Sequence, residues 1–261
     1  MMEGRNMAVR QAIFRPSCAD KWANCPFYAY KLYQAAKEPH SRLQTDLNPA
    51  AGKAAEIGTA KHEAVAQWLI SRGRDSGRLS FFTPAERRCI QLAFERYIAP
   101  HITANQFYVE LSLPRVKTPQ RRAVSRYVDL GGTMDFIGFA GGELLLLDWK
   151  FGKVSVSPVM NEQLSCYLEL AAESIPAGRT MSSVKLVIVQ PNAGNGEERI
   201  KESGLYWPAE RYKHAIRAAK KAYKAGEPPA ACEGAHCAFC PLKNAGICPL
   251  SIFAGLAEMT A

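Results

Sequence analysis

Glu143-Leu144-Leu145-Leu146-Leu147-Asp148-Trp149-Lys150 is the stretch from which the fold reads outward. Its four-leucine run is far too short for a membrane span, which needs about 20 such residues. So short a run reads instead as a central strand buried on both faces. The continuation breaks the pattern. Side chains alternate along a strand, so Asp148 and Lys150 point to one side and Trp149 to the other. A carboxylate and an ammonium at the end of a buried strand are costly without a partner or a task. A strand end emerging into solvent would account for them too, so the neighbouring sequence has to decide.

Upstream, Gly141-Gly142 supplies hairpin-turn chemistry, and Gly132-Thr133-Met134-Asp135-Phe136-Ile137 places a second acid at the start of an apolar stretch. The turn lies midway between Asp135 and Asp148, so the fold-back brings both acids to one end of the sheet. Converging carboxylates repel unless a cation lies between them, and oxygen ligands of this kind suit Mg²⁺ or Mn²⁺. Asp148 and Lys150 then form the Asp-x-Lys half of a nuclease-type centre, in which metal and lysine stabilise phosphorane charge and supply a nucleophilic water. Downstream, Gln163 and Tyr167 lie four positions apart in a helical stretch and share one face. His62 precedes Val65 and Leu69 by three and seven residues, on the core side of an earlier helix. A lone histidine there is more often a satisfied core residue than a ligand.

Working outward, Ala50 to Arg72 reads as a helix with Ile57, Val65, Trp68 and Leu69 on one face, followed by a loop over Ser71 to Ser80. Pro84 opens a second helix toward Ile98. Phe107 to Leu113 and part of Ser125 to Phe139, interrupted at Gly131-Gly132, read as strands ahead of the leucine strand. A helix over Pro158 to Ala172, a strand over Val184 to Gln190, a polar turn over Asn192 to Glu198 and a helix over Pro208 to Ala225 follow. That order predicts an α/β core with a mixed central sheet flanked by helices. The division is an N-terminal segment 1–49, a core 50–225 and a cysteine-rich tail 226–261.

At 48% hydrophobic and 22% charged, the 261 residues exclude disorder over most of the length. A net charge of +9 favours a polyanionic partner, most often nucleic acid, but equally describes a generally basic surface. No apolar segment follows Met1-Met2-Glu3-Gly4-Arg5-Asn6, so secretion is not expected and the expected location is cytoplasmic. In a reducing compartment eight cysteines are not a disulfide framework. Cys232, Cys237, Cys240 and Cys248 crowd the tail, which suggests a metal or an iron–sulfur cluster. Gly52-Lys53 lacks the leading glycine and following Ser/Thr of a phosphate-binding loop, so the chain carries no ATP motor of that type.

Taken together, Gly58-Thr59-x-x-His62, Gly132-Thr133-x-Asp135, Asp148-Trp149-Lys150 and Gln163-x-x-x-Tyr167 resemble the PD-(D/E)XK nuclease superfamily and, within it, the RecB-like branch. Pro16-Ser17-x-Ala19-x-x-Trp22-x-x-Cys25-Pro26, Asp148 to Lys153 and Asn161-x-Gln163-Leu164-x-x-Tyr167 are similar to the phage and prophage group of that branch. The similarity runs from about Pro16 to Cys248. It implies a restriction-endonuclease-like core in which His62, Asp135, Asp148 and the Trp149 carbonyl bind Mg²⁺ or Mn²⁺. It gives Lys150 the attacking water and Gln163 and Tyr167 a supporting part. Glu110 stays outside the metal set, as a strand-edge charge.

The resemblance also implies a 4Fe–4S cluster on Cys25, Cys237, Cys240 and Cys248, tying the tail to the N-terminal segment. Cys232 departs from that pattern and leaves open a Zn²⁺ site on Cys232, Cys237, Cys240 and Cys248. Cys18, Cys89 and Cys166 read as ordinary thiols. The implied activity is a metal-dependent DNA exonuclease in phage or prophage recombination or repair, with a separate single-strand annealing protein or helicase as partner and no membrane. The alternative is a DNA-end-binding recombination accessory protein with an inactive nuclease core.

Overall fold

The leucine run becomes the middle strand of a five-stranded sheet. The computed structural model describes residues 12–38, 42–47, 52–113, 129–174, 181–194 and 198–251. Its strands are β1 (Phe107–Leu113), β2 (Gly132–Ala140), β3 (Glu143–Trp149), β4 (Ser183–Val189) and β5 (Ile200–Ser203), in the spatial order β1-β2-β3-β4-β5. Strands β3 and β4 run parallel and the other neighbours antiparallel, so the sheet is mixed. Gly141 and Gly142 close the β2–β3 hairpin with φ of +58° and +84°, the left-handed values that primed hairpin turns require. A parallel neighbour needs a longer crossover, which the helix between β3 and β4 provides.

Five longer helices flank the sheet: α1 (Pro26–Lys37), α2 (Lys53–Ile70), α3 (Pro84–Ala93), α4 (Glu162–Ser174) and α5 (Ala209–Ala225). Every residue from Leu144 to Trp149 is buried, because helices cover both faces. Leu144 and Leu146 pack with Tyr28 of α1, Leu164 of α4 and Tyr212 of α5. Leu145, Leu147 and Trp149 pack with Val65, Trp68 and Leu69 of α2 and Ile90 of α3. Trp22 and Cys25 from the N-terminal segment and Cys240 and Leu242 from the tail join the first of these clusters. The α/β architecture with a cysteine-rich tail is therefore the one the element order predicts.

Local readings differ in several places. Ile57 does not share the buried face of Val65, Trp68 and Leu69, since it is 46% exposed. Among the described residues, the elements that bury the later half of α2 do not cover its first turns. The helix opened by Pro84 runs through a π-helical turn at Phe94–Ile98 into a further turn at Ala99–Thr103. Helix α4 starts at Glu162 rather than Pro158, because the Asn161 side chain accepts a hydrogen bond from Leu164 N at 3.0 Å and caps it. Ser76–Leu79 forms a 3₁₀ turn within the expected loop. Gly132 begins β2 rather than interrupting it, and Ser125 to Val128 lie outside the described residues. Strand β5 carries one apolar residue in four and owes its place to pairing with β4.

Helices α2 and α3 are joined by one buried carboxylate. Glu86 closes a capping box with Thr83, accepting from Thr83 N at 2.8 Å while Thr83 Oγ1 accepts from Glu86 N at 3.3 Å. The same carboxylate pairs with Lys61 of α2, and Glu86 is only 3% exposed. Burial pushes its pKa up, but the Lys61 ammonium and the Thr83 donors outweigh burial and hold it at about 2. Glu86→Ala leaves Lys61 without its partner, and breaking a buried pair costs about 3–5 kcal/mol. Denaturant melts at neutral pH should show that loss. A carboxylate whose folded pKa is depressed contributes stability above its unfolded value, lost as pH falls through the folded one. The gap between wild type and variant should therefore narrow as pH falls below about 4.5 toward 2.

Candidate active site

The β2–β3 register sets the site. Phe136 pairs with Leu147, so the next positions, Asp135 and Asp148, stand side by side at one end of the sheet. Asp148 Oδ1 accepts from Gln163 Nε2 at 2.7 Å, and Gln163 Oε1 accepts from Lys150 Nζ at 2.7 Å. Lys150 Nζ also lies 2.7 Å from Asp148 Oδ2, completing a triangle of carboxylate, amide and ammonium. That approach is oblique, so Asp148 Oδ2, though buried, receives no aligned hydrogen bond among the described residues. Trp149 enters through its backbone: its N–H donates to Asp135 Oδ2 at 2.8 Å, while its ring is buried on the α2 side.

On that side, His62 Nδ1 of α2 lies 3.3 Å from Asp135 Oδ1. Glu110 of β1 joins them: one ligand atom each from His62, Glu110 and Asp135 all lie within 4.8 Å of one another. From sequence Glu110 is a strand-edge charge outside the metal set, and the backbone explains why it comes in. Val109 pairs with Phe136 and Leu111 with Met134, and between them Glu110 takes φ +50° opposite Asp135. For a non-glycine residue that conformation is strained, by about 1–3 kcal/mol. The available signal was a single acid in Phe107-Tyr108-Val109-Glu110-Leu111, at the position that faces Asp135 across the sheet.

Tyr167 sits apart from the triangle. Its hydroxyl donates to the Thr133 carbonyl and so holds the start of β2. A Cβ on Gly132 would meet Pro16 Cδ at 2.9 Å and the Tyr167 hydroxyl at 3.0 Å, so the glycine of the Gly-Thr-x-Asp motif makes room for both. Sequence reasoning also missed Gln190, a buried amide at the end of β4. It accepts from Val156 N at 3.0 Å and donates to the carbonyls of Gly152 at 2.9 Å and Val154 at 2.6 Å. Asn192 Nδ2 donates to the Phe151 carbonyl at 3.3 Å. Together they brace the loop after Lys150, whose Phe151 ring packs edge-on against His62 at 5.1 Å. A polar residue ending an apolar strand just before Pro191 was the signal.

The electrostatics are those of crowded acids. Glu110 remains exposed at the sheet edge, yet the desolvation of its carboxyl among these groups, followed by the Asp135 charge, raises it to about 7. Burial also raises Asp148, partly offset by Lys150 and reinforced by Asp135. For His62 burial lowers the pKa, but the hydrogen bond and charge of Asp135 outweigh it and raise the imidazole above its ordinary value. Converging carboxylates beside an imidazole fit a divalent cation of the Mg²⁺ or Mn²⁺ class. Protonating Glu110 or Asp148 removes negative charge the cation needs, so binding must release protons. Mn²⁺ affinity should therefore weaken as pH falls below about 7 and level off above it. A Mn²⁺ titration across neutral pH tests this, and a flat profile would contradict it.

The tail and the N-terminal segment form a second cluster. Cys25, Cys232, Cys237, Cys240, Cys248 and His236 line one cavity of about 300 Å³. Cys25, Cys232 and His236 place their ligand atoms within 4.8 Å of one another. Cys89 and Cys166 lie elsewhere, and burial raises both thiols, that of Cys89 to about 11. Cys18 packs against the core near Tyr28 without joining the cavity lining. Among the described residues no helix is long and apolar enough to cross a membrane.

The chain belongs to the family described as "Protein of unknown function (DUF2800)", whose pattern matches residues 11–251. No curated protein matches it. Among solved structures, one described as "Crystal structure of SSO0001" is similar at 15% identity and a TM-score of 0.33, over 72% of this chain and 84% of that one.

Proposed function

We propose that the protein is a metal-dependent deoxyribonuclease of the PD-(D/E)XK superfamily, RecB-like branch, degrading DNA from its ends. The observation that carries this reading is the Asp148–Gln163–Lys150 triangle beside His62, Asp135 and Glu110. Asp135, Asp148, His62 and the Trp149 carbonyl would hold Mg²⁺ or Mn²⁺, with Glu110 as a further acidic ligand. When bound, such an ion polarises a phosphate and lowers the pKa of water.

The chain's own groups do the rest. Gln163 fixes Lys150 by accepting a hydrogen bond from its ammonium, which aims the charge at the scissile phosphate. Lys150 also orients the attacking water, and Asp148 pairs with its ammonium. Tyr167, through Thr133, keeps Asp135 in register with Asp148. The cysteine cavity would hold a 4Fe–4S cluster on Cys25, Cys237, Cys240 and Cys248; the convergence of these thiols on one space of about 300 Å³ fits such a group. A cluster of this kind accords with a reducing, cytoplasmic location, and a recombination setting would supply the annealing protein or helicase.

The net charge of +9 would bind the DNA backbone. Contact with about six phosphates should give a log–log salt slope of roughly −5 on duplex DNA. A flat response would leave the charge as general surface charge. The test of the function is end-labelled linear DNA and circular DNA with Mg²⁺, Mn²⁺ or chelator. Degradation of linear DNA alone is the expected result; stable binding to ends without cutting would favour the accessory protein.

A further inference from the structure

The proposed cluster uses four thiolates, yet five cysteines and a histidine line the cavity. Cys232 and His236 are left over, and they are not scattered. With Cys25 they form the tight group whose ligand atoms lie within 4.8 Å of one another, Cys232 Sγ and His236 Nε2 being 3.9 Å apart. Ligands of one tetrahedral zinc ion, at about 2.0–2.3 Å from it, lie roughly 3.3–3.8 Å from each other. The Cys232–His236 pair, at 3.9 Å, is close to that spacing, and Cys25 lies within 4.8 Å of both. Each thiolate of a four-iron cluster binds a different iron, so its sulfurs stand farther apart. Among the described residues, Cys237, Cys240 and Cys248 do not join the tight group.

The local chain is built for the trio. Cys232-Glu233-Gly234-Ala235-His236 turns the imidazole back over the thiol, with His236 inside a 3₁₀ turn at Ala235–Cys237. A Cβ on Gly234 would sit 2.8 Å from His236 Nδ1 and 2.9 Å from its Cε1, so the glycine makes the space the ring occupies. The Asn24 carbonyl lies 3.1 Å from Cys232 Sγ and orients it beside Cys25. A second cleft of about 540 Å³, lined by Asp20, Asn24, Cys232, Gly234 and His236, borders two of the three ligands from the solvent side.

We propose that Cys25, Cys232 and His236 form a separate site for a single soft divalent ion of the zinc class. Two thiolates and a neutral imidazole balance its charge, and water takes the fourth position. The site shares Cys25 with the iron–sulfur set, so the cavity holds one occupant or the other. Only that competition rests on the cluster reading; the trio stands apart from it.

Co²⁺ is the probe, added to the metal-free, reduced full chain. The expected spectrum is that of one tetrahedral ion with the charge-transfer intensity of two thiolates. Losing a direct ligand should weaken binding at least as much as losing an outer partner, roughly tenfold to a hundredfold, in His236→Ala and Cys232→Ser. Both variants should still assemble an iron cluster, and His236→Cys should restore cobalt binding with a third thiolate in the spectrum. Cys240→Ser should lose the cluster and keep the cobalt, and a loaded cluster should block cobalt uptake. His236 is half-buried at the surface, so its replacement leaves the core intact. Wild-type cobalt affinity in His236→Ala, or a four-thiolate spectrum in the wild type, would overturn the site. Failure of the wild type to take up iron and sulfide would remove the cluster reading alone, and the cobalt result would still decide the trio.

Discussion

Asp148→Asn and Lys150→Ala are expected to abolish DNA cutting, by roughly a thousandfold or more, while leaving DNA affinity nearly unchanged. Asp148 is the one carboxylate tied to both halves of the site, through Gln163 and Lys150 on one side and the charge of Asp135 on the other. Asparagine keeps its shape and its hydrogen bond to Gln163 but removes the charge that a cation and the lysine require. Binding should survive because the phosphate backbone is held by the basic surface rather than by this strand end. Stability provides the control. Burial disfavours the ionised Asp148, so Asp148→Asn should melt at or above the wild-type midpoint. A variant that cuts normally would remove β3 from the active site; one that loses cutting only because it unfolds would show it in the melt.

Cys25→Ser is the second large effect. A cluster on Cys25, Cys237, Cys240 and Cys248 closes a loop of about two hundred residues across the whole core. Constraining so long a loop removes unfolded-chain entropy, and the analogous cross-link contributes on the order of 5 kcal/mol. Protein purified without oxygen should be brown, and Cys25→Ser should lose the colour, the iron and sulfide, and much of the core's stability. Cys232→Ser should keep all three. With a zinc site on Cys232, Cys237, Cys240 and Cys248 the two variants exchange behaviour. Stoichiometric zinc, no iron and an unperturbed Cys25→Ser would contradict the cluster and leave the nuclease reading standing.

The parts legible in the sequence are those governed by alternation and turn chemistry. Leu144 to Leu147 gave the buried strand, and Gly141-Gly142 gave the hairpin that sets Asp135 beside Asp148. Helical spacing brought Gln163 to the inside, where it meets Lys150. What escaped depends on tertiary context. Glu110 reaches the site only through a left-handed backbone that no local propensity favours. Gln190 and Asn192 act through hydrogen bonds to a loop some forty positions upstream. His236 meets Cys25 from the far end of the chain, with no spacing to announce it. Ile57 kept its helical period, but nothing among the described residues covers the helix end that carries it.

The most direct test of the central claim is mass spectrometry of the products from linear duplex DNA digested with Mg²⁺ in water carrying the heavy oxygen isotope. Water attack at a phosphodiester predicts nucleotides with one heavy oxygen on each released phosphate, all product disappearing with chelator or in Asp148→Asn. No nucleotide release with Mg²⁺ or Mn²⁺, or release that persists in Asp148→Asn, would contradict the account.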